Sequence, residues 1–167
     1  MDGGDSDGEA TLTEVSEGEW AGWMIYRGVD PFEDASGPFY WRREAEATVR
    51  CAFRAERKHM NGLGFMHGGA IMTFADYCLF VIAGDAMEDR AAVTATFNGE
   101  FVGSVPEGAL VECRGEVVKA TRSMLFVRGL ITTGDEPVMS FSAALKRVGP
   151  HPRTSDAPPQ GALAQSA

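Results

Sequence analysis

The second half of the chain alternates between apolar and polar residues with a period of two. Four alternating runs follow Arg90, and the short segments SVPEG, ATR and GDE separate them; the runs cover about 92–102, 109–119, 123–133 and 137–147. Such alternation predicts half-buried β-strands. The Gly134-Asp135 pair before the last run suits a tight antiparallel connection. We therefore predict four long antiparallel strands in succession.

A different pattern precedes these strands. The segment AIMTFADYCLFVIAGDAM (70–87) has neither Gly nor Pro before Gly84, and apolar residues occupy nearly all sides of the helix that it would form. Such a helix should be buried all round. Residues 45–54 alternate like a half-buried strand, and 39–43 predict a shorter one. A long helix against an antiparallel sheet is an α+β arrangement of two layers.

The N-terminal region contains weaker patterns. Ser16 and Glu19 form a possible capping box that would open a short helix extending to about Ile25, although Gly18 and Gly22 weaken it. The segment DPFEDASGP (30–38) predicts turns.

The two ends of the chain differ in composition from the rest. Residues 1–15 are acidic and Gly-rich and residues 149–167 are rich in Pro, Ala and Ser, so we expect disorder in both. Between them we predict one domain, 16–148, in which 16–44 form an aromatic extension.

Charge and composition narrow the function classes. The net charge is −9, but the first 19 residues hold seven acids and no Lys or Arg, so the remainder carries only about −2 and need not repel an anionic ligand. The chain lacks the clustered Lys and Arg of a nucleic-acid partner. It has no run of about 18 apolar residues for a membrane span. The acidic, Gly-rich start does not have the basic and apolar segments of a secretory signal, so we expect a cytoplasmic protein.

The cysteines and histidines do not predict a metal site. Cys51, Cys78 and Cys113 are far apart in sequence and lie among apolar residues, which favours buried, reduced thiols. The three histidines do not have the spacing of a ligand cluster.

The segment Asn61-Gly-Leu-Gly-Phe-Met-His67-Gly68-Gly69-x6-Asp76 carries the candidate chemistry. Gly68 and Gly69 stand where a loop enters the predicted helix, so free N–H groups and a partial positive charge face outwards there. Glycine lets a ligand approach that backbone closely. The segment therefore predicts a site for an oxyanion, as acyl transfer requires.

Asp76 places a carboxylate in an otherwise apolar helix. It could be the base that activates water, or the nucleophile itself. Asp76 lies eight residues beyond Gly68, about 12 Å along a helix axis, so one thioester carbonyl would have difficulty reaching both. Two antiparallel helices related by a twofold axis would bring them together. We therefore predict a composite site in an obligate dimer.

Structural alternatives remain open for each residue. The Gly-Gly pair could be only a junction, His67 could cap the helix, and Asn61 could satisfy loop backbone groups. Asp76 could be a paired buried carboxylate. Cys78 is a poor candidate nucleophile, because it follows Asp76 by two positions and points elsewhere.

The whole pattern resembles the hotdog-fold thioesterases. Besides N-x2-G-x2-H-G-G-x6-D, the resemblance includes VTATFNGEFVGSVPEG with Phe101, Pro106 and Gly108, and it covers about residues 45–148. Within that family, the chain is most similar to the branch that contains phenylacetyl-CoA thioesterase. The resemblance implies an antiparallel sheet wrapped around one long central helix. It also implies dimers, often paired into tetramers, which use no metal or redox cofactor and take CoA only as part of the substrate.

The resemblance also implies roles for individual residues. Asn61 would orient the thioester or the water, and the Gly68 amide would polarise the carbonyl. Asp76 of the neighbouring subunit would act as base or nucleophile, Thr94 would help hold the water, and His67 would hydrogen-bond near the carbonyl. Further candidates for substrate binding are Gly69, Met72, Phe65 and Arg122. Candidates for the CoA phosphates are Arg57, Lys58, Lys119 and Arg122, although a solvated surface role suits each of them.

The acyl group and the role of the extension stay open. The aromatic residues of the extension could form a lid or wall of the acyl pocket, or could only pack on the sheet: Trp20, Trp23, Phe32, Phe39, Tyr40 and Trp41. A medium-chain or an aryl acyl group would suit the apolar helix. We predict acyl-CoA hydrolysis, with a non-catalytic binding protein as the alternative. Hydratases of this fold resemble one another in a G-D-x-N-P-x-H segment. Here the comparable segment, Gly84-Asp85-Ala-Met-Glu, lacks the Asn-Pro and the His, so a hydratase is less favoured.

Overall fold

One antiparallel sheet contains all eight strands of the described chain, in the order β1-β2-β3-β4-β6-β7-β8-β5. The computed structural model describes residues 11–44, 48–88 and 90–150. The elements are β1 (Thr11–Glu14), β2 (Met24–Arg27), α1 (Pro31–Ser36), β3 (Tyr40–Arg43), β4 (Val49–Arg54), α2 (Gly68–Met87), β5 (Arg90–Phe101), β6 (Leu110–Ala120), β7 (Met124–Thr133) and β8 (Glu136–Pro150). The four predicted long strands are confirmed as β5 to β8. Gly134, with φ of 58°, and Asp135 form the two-residue connection into β8.

The long helix α2 packs against the sheet, mainly on β6 and β7. Phe74 and Leu79 of α2 and Leu125, Ile131 and Leu145 of the sheet are fully buried. Burial of each such side chain contributes about 1.5–3 kcal/mol, so this layer supplies the main core. The predicted hotdog arrangement, a sheet wrapped around a central helix, is confirmed.

The prediction that α2 is buried on every side is wrong. Met72 is 43% exposed, Gly69 is exposed, and Thr73, Asp76 and Phe80 are half-buried. These residues recur at helical spacing, so they form one strip that faces away from the core of the chain. The strip includes the candidate carboxylate and is open to a ligand or to another subunit.

By length and composition the 20-residue helix α2 could also cross a membrane. The sequence expectation of no such segment is therefore too strong. The central helix of a soluble fold has the same composition, and the burial of Phe74 and Leu79 against the sheet identifies α2 as such a helix.

The start of the chain departs from the predictions. Residues 11–14, expected to be disordered, form β1 and pair with β2, which satisfies their backbone groups. The predicted capping box is also wrong. Residues 18–20 form only a short 3₁₀ turn with no side-chain cap, and Met24 already belongs to β2. Gly18 and Gly22 have φ of 79°, and these left-handed conformations interrupt a helix.

The segment predicted as turns contains the short helix α1. The Asp30 Oδ1 atom accepts from the N–H groups of Phe32 (2.9 Å) and Glu33 (3.0 Å), and Pro31 occupies the first helical position. Asp at the N-cap followed by Pro is a helix start, so the turn interpretation is corrected.

The last strand of the chain also extends further than predicted. Strand β8 runs to Pro150, because its last residues pair with the first residues of β5, so residues 149–150 are ordered. Residues 1–10 and 151–167, and with them most of both predicted disordered ends, lie outside the described residues.

The three cysteines meet in the core. Cys51 on β4 and Cys113 on β6 are register partners, and Cys78 of α2 packs against both. Burial is the largest cause that raises the pKa of Cys51 and of Cys78. A raised pKa keeps these thiols protonated at neutral pH, so they behave as small apolar residues.

Candidate active site

The loop before α2 is closed by Asn61. The side-chain Oδ1 atom of Asn61 accepts from the N–H groups of Leu63 (2.8 Å) and Phe65 (3.3 Å), and the Asn61 N–H donates to the Phe65 carbonyl (2.7 Å). Gly64, with φ of 83°, makes the tight turn possible. The Oδ1 atom of Asn61 thus satisfies loop backbone groups, which is the structural alternative that the sequence left open. Within the described residues the Asn61 Nδ2 group has no acceptor, so it can still donate to a ligand.

His67 caps the helix. Its Nδ1 atom accepts from the Gly69 N–H at 2.9 Å, so the hydrogen of the neutral ring lies on Nε2. The N–H groups of Ala70 and Ile71 donate to the His67 carbonyl. Across residues 11–44, 48–88 and 90–150 no acceptor faces the Gly68 N–H. Gly68 thus presents the open donor of the helix start, where the helix dipole also favours negative charge.

The approach to this donor is narrow. A Cβ atom added at Gly68 would lie 3.4 Å from the Phe101 ring, so the ring stands beside the Gly68 backbone. The Phe101 side chain is half exposed and comes from the end of β5. Glycine leaves this space beside the ring free, so a ligand can approach the Gly68 backbone closely.

Asp76 lies at the middle of α2 and is half-buried. The Thr94 hydroxyl on β5 donates to Asp76 Oδ1 at 2.7 Å. The structure thus brings together two of the residues that the sequence nominated. The hydroxyl fixes the orientation of the carboxylate and occupies one of its oxygens, which leaves Oδ2 for substrate or water.

Substitution of Thr94 by Val should lower kcat about 10-fold, because a hydrogen bond to a charged group contributes about 1.5–3 kcal/mol and Val leaves Asp76 without it. Thr96→Val on the same strand, whose exposed hydroxyl has no described contact with Asp76, is the matched control. Steady-state kinetics of both variants check this. Equal activity of the two variants would show that the hydrogen bond has no part in turnover.

A cleft of about 340 Å³ opens beside Asp76, between α1, α2 and β5. We call it the Asp76 cleft; its walls are Asp30, Phe32, Glu33, Met72, Thr73, Asp76 and Phe97. The predicted substrate contact Met72 thus lies beside the carboxylate. Phe32 of α1 was nominated from the sequence, whereas Phe97 of β5 was not, because its place in the cleft wall depends on the tertiary fold.

Glu33 is the main residue that the sequence interpretation missed. It lines the Asp76 cleft and also a second cavity of about 190 Å³ beside Tyr77. Burial, and then the carboxylates of Asp30, Asp76 and Asp34, raise the pKa of Glu33 to about 7. The pattern Asp-Pro-x-Glu, an N-cap followed by an acid in the first turn, is what could have revealed a helix presenting this side chain.

Other nominated residues lie elsewhere or serve the fold. Phe65 is 45% exposed and bridges to Pro106, and the Gly69 amide is occupied by His67. Arg122 lies near the C-terminal end of α2, because the Arg147 side chain donates to the carbonyl groups of both Arg122 and Ala86. One chain therefore does not bring Arg122 to Gly68 or Asp76.

The residues proposed to bind the CoA phosphates do not come together at one site within the described part of a single chain. The Lys58 Nζ atom donates to the Gly37 carbonyl and so holds the end of α1. Arg57 and Lys119 are exposed on separate elements.

The aromatic extension divides between packing on the sheet and lining the Asp76 cleft. Trp23, Phe39 and Tyr40 are buried against the sheet, which is the packing role. Trp20 stacks on Tyr40, and Tyr26 stacks on Trp41. Phe32, 66% exposed, instead forms part of the cleft wall.

Comparison with solved structures supports the same architecture. The PaaI protein from the E. coli phenylacetic acid degradation operon is 18% identical with a TM-score of 0.65, and the match covers 74% of this chain and 88% of that one. A hypothetical thioesterase of Streptococcus pneumoniae, solved with coenzyme A, is 16% identical with a TM-score of 0.61, covering 68% and 88%. At these identities the likeness concerns the fold.

Sequence comparison identifies the family. A family model described as "Thioesterase superfamily" matches residues 63–140, which include α2, the Gly68 helix start and most of the sheet that follows. A Pseudomonas aeruginosa protein named "Putative esterase PA0474" is 31% identical over 113 residues, which cover 67% of this chain and 84% of that protein. The chain therefore belongs to the thioesterase superfamily.

Proposed function

We propose that the protein hydrolyses an acyl-CoA thioester to a free acid and CoA. One observation carries the proposal: in a helix of the thioesterase superfamily, the open Gly68 amide stands at the start of α2 and the Thr94-bound Asp76 carboxylate lies on its exposed strip. Acyl transfer needs a donor for the oxyanion and a group that acts on the carbonyl carbon, and these residues supply both.

The Gly68 amide receives the thioester oxygen in this scheme. As the carbonyl carbon becomes tetrahedral, negative charge develops on its oxygen, and the N–H group and helix dipole stabilise that charge more than they stabilise the ground state. The His67 cap holds the neighbouring Gly69 amide, so it keeps the first turn in place while Gly68 stays open. Asn61 can add a second donor through Nδ2.

Asp76 acts on the carbon by one of two balanced routes. As a base it takes a proton from water, whose oxygen adds to the carbonyl carbon before the C–S bond breaks. As a nucleophile its own oxygen adds, CoA leaves, and water then hydrolyses the resulting mixed anhydride. Both routes consume one water and release one acid and one thiol. Neither needs a metal or a redox cofactor, so we propose none.

The two groups act together across a dimer interface. Gly68 and Asp76 are separated by eight residues of one helix, about 12 Å along its axis, whereas one carbonyl spans far less. Strand β5 is the terminal strand of the sheet and is 12 residues long, with Val93 and Phe101 about half exposed. A long edge strand with exposed apolar side chains favours pairing with another strand. We therefore propose an obligate dimer in which the Asp76 of one subunit faces the Gly68 of the other, with further pairing into tetramers.

The cellular setting follows from the substrate. We propose a cytoplasmic enzyme, because acyl-CoA thioesters are available there. The Asp76 cleft, with Phe32, Met72 and Phe97 as apolar walls, takes the acyl group. Its volume of about 340 Å³ suits a medium-chain or aryl acyl group.

A thiol-release assay over a panel of short-chain, medium-chain and aryl acyl-CoAs tests the proposal, with Asp76→Asn as the control. We expect at least one ester to be cleaved well above the variant. Binding of an acyl-CoA without thiol release would instead identify a binding protein. Absence of both binding and release across the panel would contradict acyl-CoA as the ligand.

A further inference from the structure

We propose that Glu33 is a second catalytic carboxyl group, which gives its proton to the departing CoA sulfur while Asp76 acts on the thioester carbon. The inference deepens the proposed function and rests on it. It assigns a mechanistic role to α1, the helix that the N-terminal extension adds to the sheet.

The geometry brings the two carboxyl groups to the same cavity. Glu33 comes from α1 and Asp76 from α2, and both line the Asp76 cleft together with Met72 and Thr73. A thioester carbon held at Asp76 places its bonded sulfur in the same small space. Glu33 is half-buried there and has no ion-pair partner among the described basic residues. It is therefore a carboxyl group that faces the reacting atoms and that the fold does not use in an ion pair.

Hydrogen bonds hold both ends of the helix that carries Glu33. Asp30 caps its start, and the Lys58 Nζ atom donates to the Gly37 carbonyl at its end. The His59 Nδ1 atom accepts from the Glu56 N–H, so its Nε2–H group donates to the Ser36 carbonyl at 2.7 Å. His59 also lies directly before the loop that leads to Gly68. The loop and α1 are thus joined, which keeps Glu33 in a fixed position relative to the site.

The surroundings of Glu33 keep it protonated near neutral pH. Burial and three carboxylates oppose its ionisation, and its pKa is about 7. The titratable groups that face it come from α1, α2, β2 and the 57–59 turn: Asp30, Asp34, Asp76, Tyr77, Tyr26, Arg27 and Lys58. The strand β5 contributes only the uncharged Phe97 to the cleft wall. An acid whose pKa lies near the working pH is the most effective proton donor.

The proton balance closes with water as the only co-reactant. Asp76 takes a proton from water, and the water oxygen bonds to the carbonyl carbon. The C–S bond then breaks, its electron pair stays on sulfur, and the Glu33 proton joins that sulfur. A thiol such as CoA is a weak acid, with a typical pKa of about 8.5, so its thiolate accepts this proton. The proton on Asp76 then returns to Glu33 through solvent, and free acid and CoA leave.

Leaving-group dependence tests this role. The full-length protein and the isosteric Glu33→Gln variant would be assayed on two thioesters of one acyl group, an S-(N-acetylcysteamine) ester and an S-phenyl ester. Thiophenol is much more acidic, so its thiolate leaves without a proton. We expect Glu33→Gln to lower kcat about 10²-fold on the first ester and less than about 3-fold on the second. Glu17→Gln, which removes an exposed acid outside the cleft, should show no such selectivity.

The pH dependence supplies a second readout. In the wild type kcat should fall as pH rises through about 7, because Glu33 loses its proton, and this fall should disappear in Glu33→Gln. Because the pKa of Glu33 is raised above the ordinary 4.5, the folded state binds its proton more tightly than the unfolded state does. The free energy of unfolding of the wild type therefore falls as pH rises from 4.5 to about 7. Glu33→Gln should have the higher Tm at about pH 8 and little advantage at about pH 4.

Each outcome decides the proposal. Equal losses on the two esters, or an unchanged pH profile in Glu33→Gln, would show that Glu33 only shapes the cleft and would overturn its catalytic role while leaving thioester hydrolysis intact. A wild-type protein that cleaves no thioester would overturn the proposed function and this role together.

Discussion

Replacement of Asp76 by Asn is expected to lower kcat about 10²–10⁴-fold with little change in Tm. The carboxamide has the shape of the carboxylate and can still accept from the Thr94 hydroxyl, so the local hydrogen bond survives. It can neither accept a proton from water nor form an anhydride, so both routes to the carbonyl carbon are lost. Single-turnover thiol release with the best acyl-CoA of the panel would measure the loss.

The same helix offers the matched control. Asp85 is an exposed aspartate of α2 whose carboxylate pairs with Arg43, at 2.5 Å, away from the cleft. Asp85→Asn removes one negative charge from α2 and should keep nearly all of the activity. Activity in Asp76→Asn comparable to that in Asp85→Asn would show that the reaction does not use the carboxylate of Asp76.

Replacement of Gly68 by Pro is expected to lower kcat about 10²–10³-fold, the usual effect of removing one oxyanion donor. Proline has no N–H group, but it is well tolerated at the first position of a helix. His67 before it already has extended backbone angles, φ of −65° and ψ of 137°, which proline requires of the preceding residue. The substitution therefore deletes the donor and leaves α2 able to form.

Gly68→Ala is the control for the added bulk. It keeps the N–H group and places a Cβ atom against the Phe101 ring at 3.4 Å, a contact that the half-exposed ring can relieve. We expect a loss of less than about 10-fold in Gly68→Ala. If the Ala and Pro variants lose the same activity, access to the helix start matters and the amide donor does not.

The central part of the fold is predictable from the pattern of the chain. The period of two after Arg90 identifies β5 to β8, because a strand that packs on one layer alternates in that way. The mostly apolar segment around Phe74 and Leu79, free of Gly and Pro before Gly84, identifies α2. The N-terminal region is less predictable. The strand β1 is only four residues long, and its polar residues pair with β2 through backbone groups that leave no periodic trace.

The site was predictable as far as local sequence determines it. The Gly68 donor follows from glycines at the start of a helix, and Asp76 follows from a carboxylate in an apolar helix. The position of Glu33 in the cleft did not follow from the sequence. Its place in the cleft depends on α1 docking beside α2, and its raised pKa depends on burial and on three carboxylates that are brought together only by folding.

Cooperation between two subunits is the central claim, and mixing two inactive variants tests it most directly. In a dimer that pairs Asp76→Asn with Gly68→Pro, one site would combine an intact Gly68 with an intact Asp76 from the other chain. Random exchange makes half of the dimers mixed, each with one working site, so about a quarter of wild-type activity should return. If fully exchanged dimers, verified by tagged subunits, show no more activity than the separate variants, each site lies within one chain and the account is wrong.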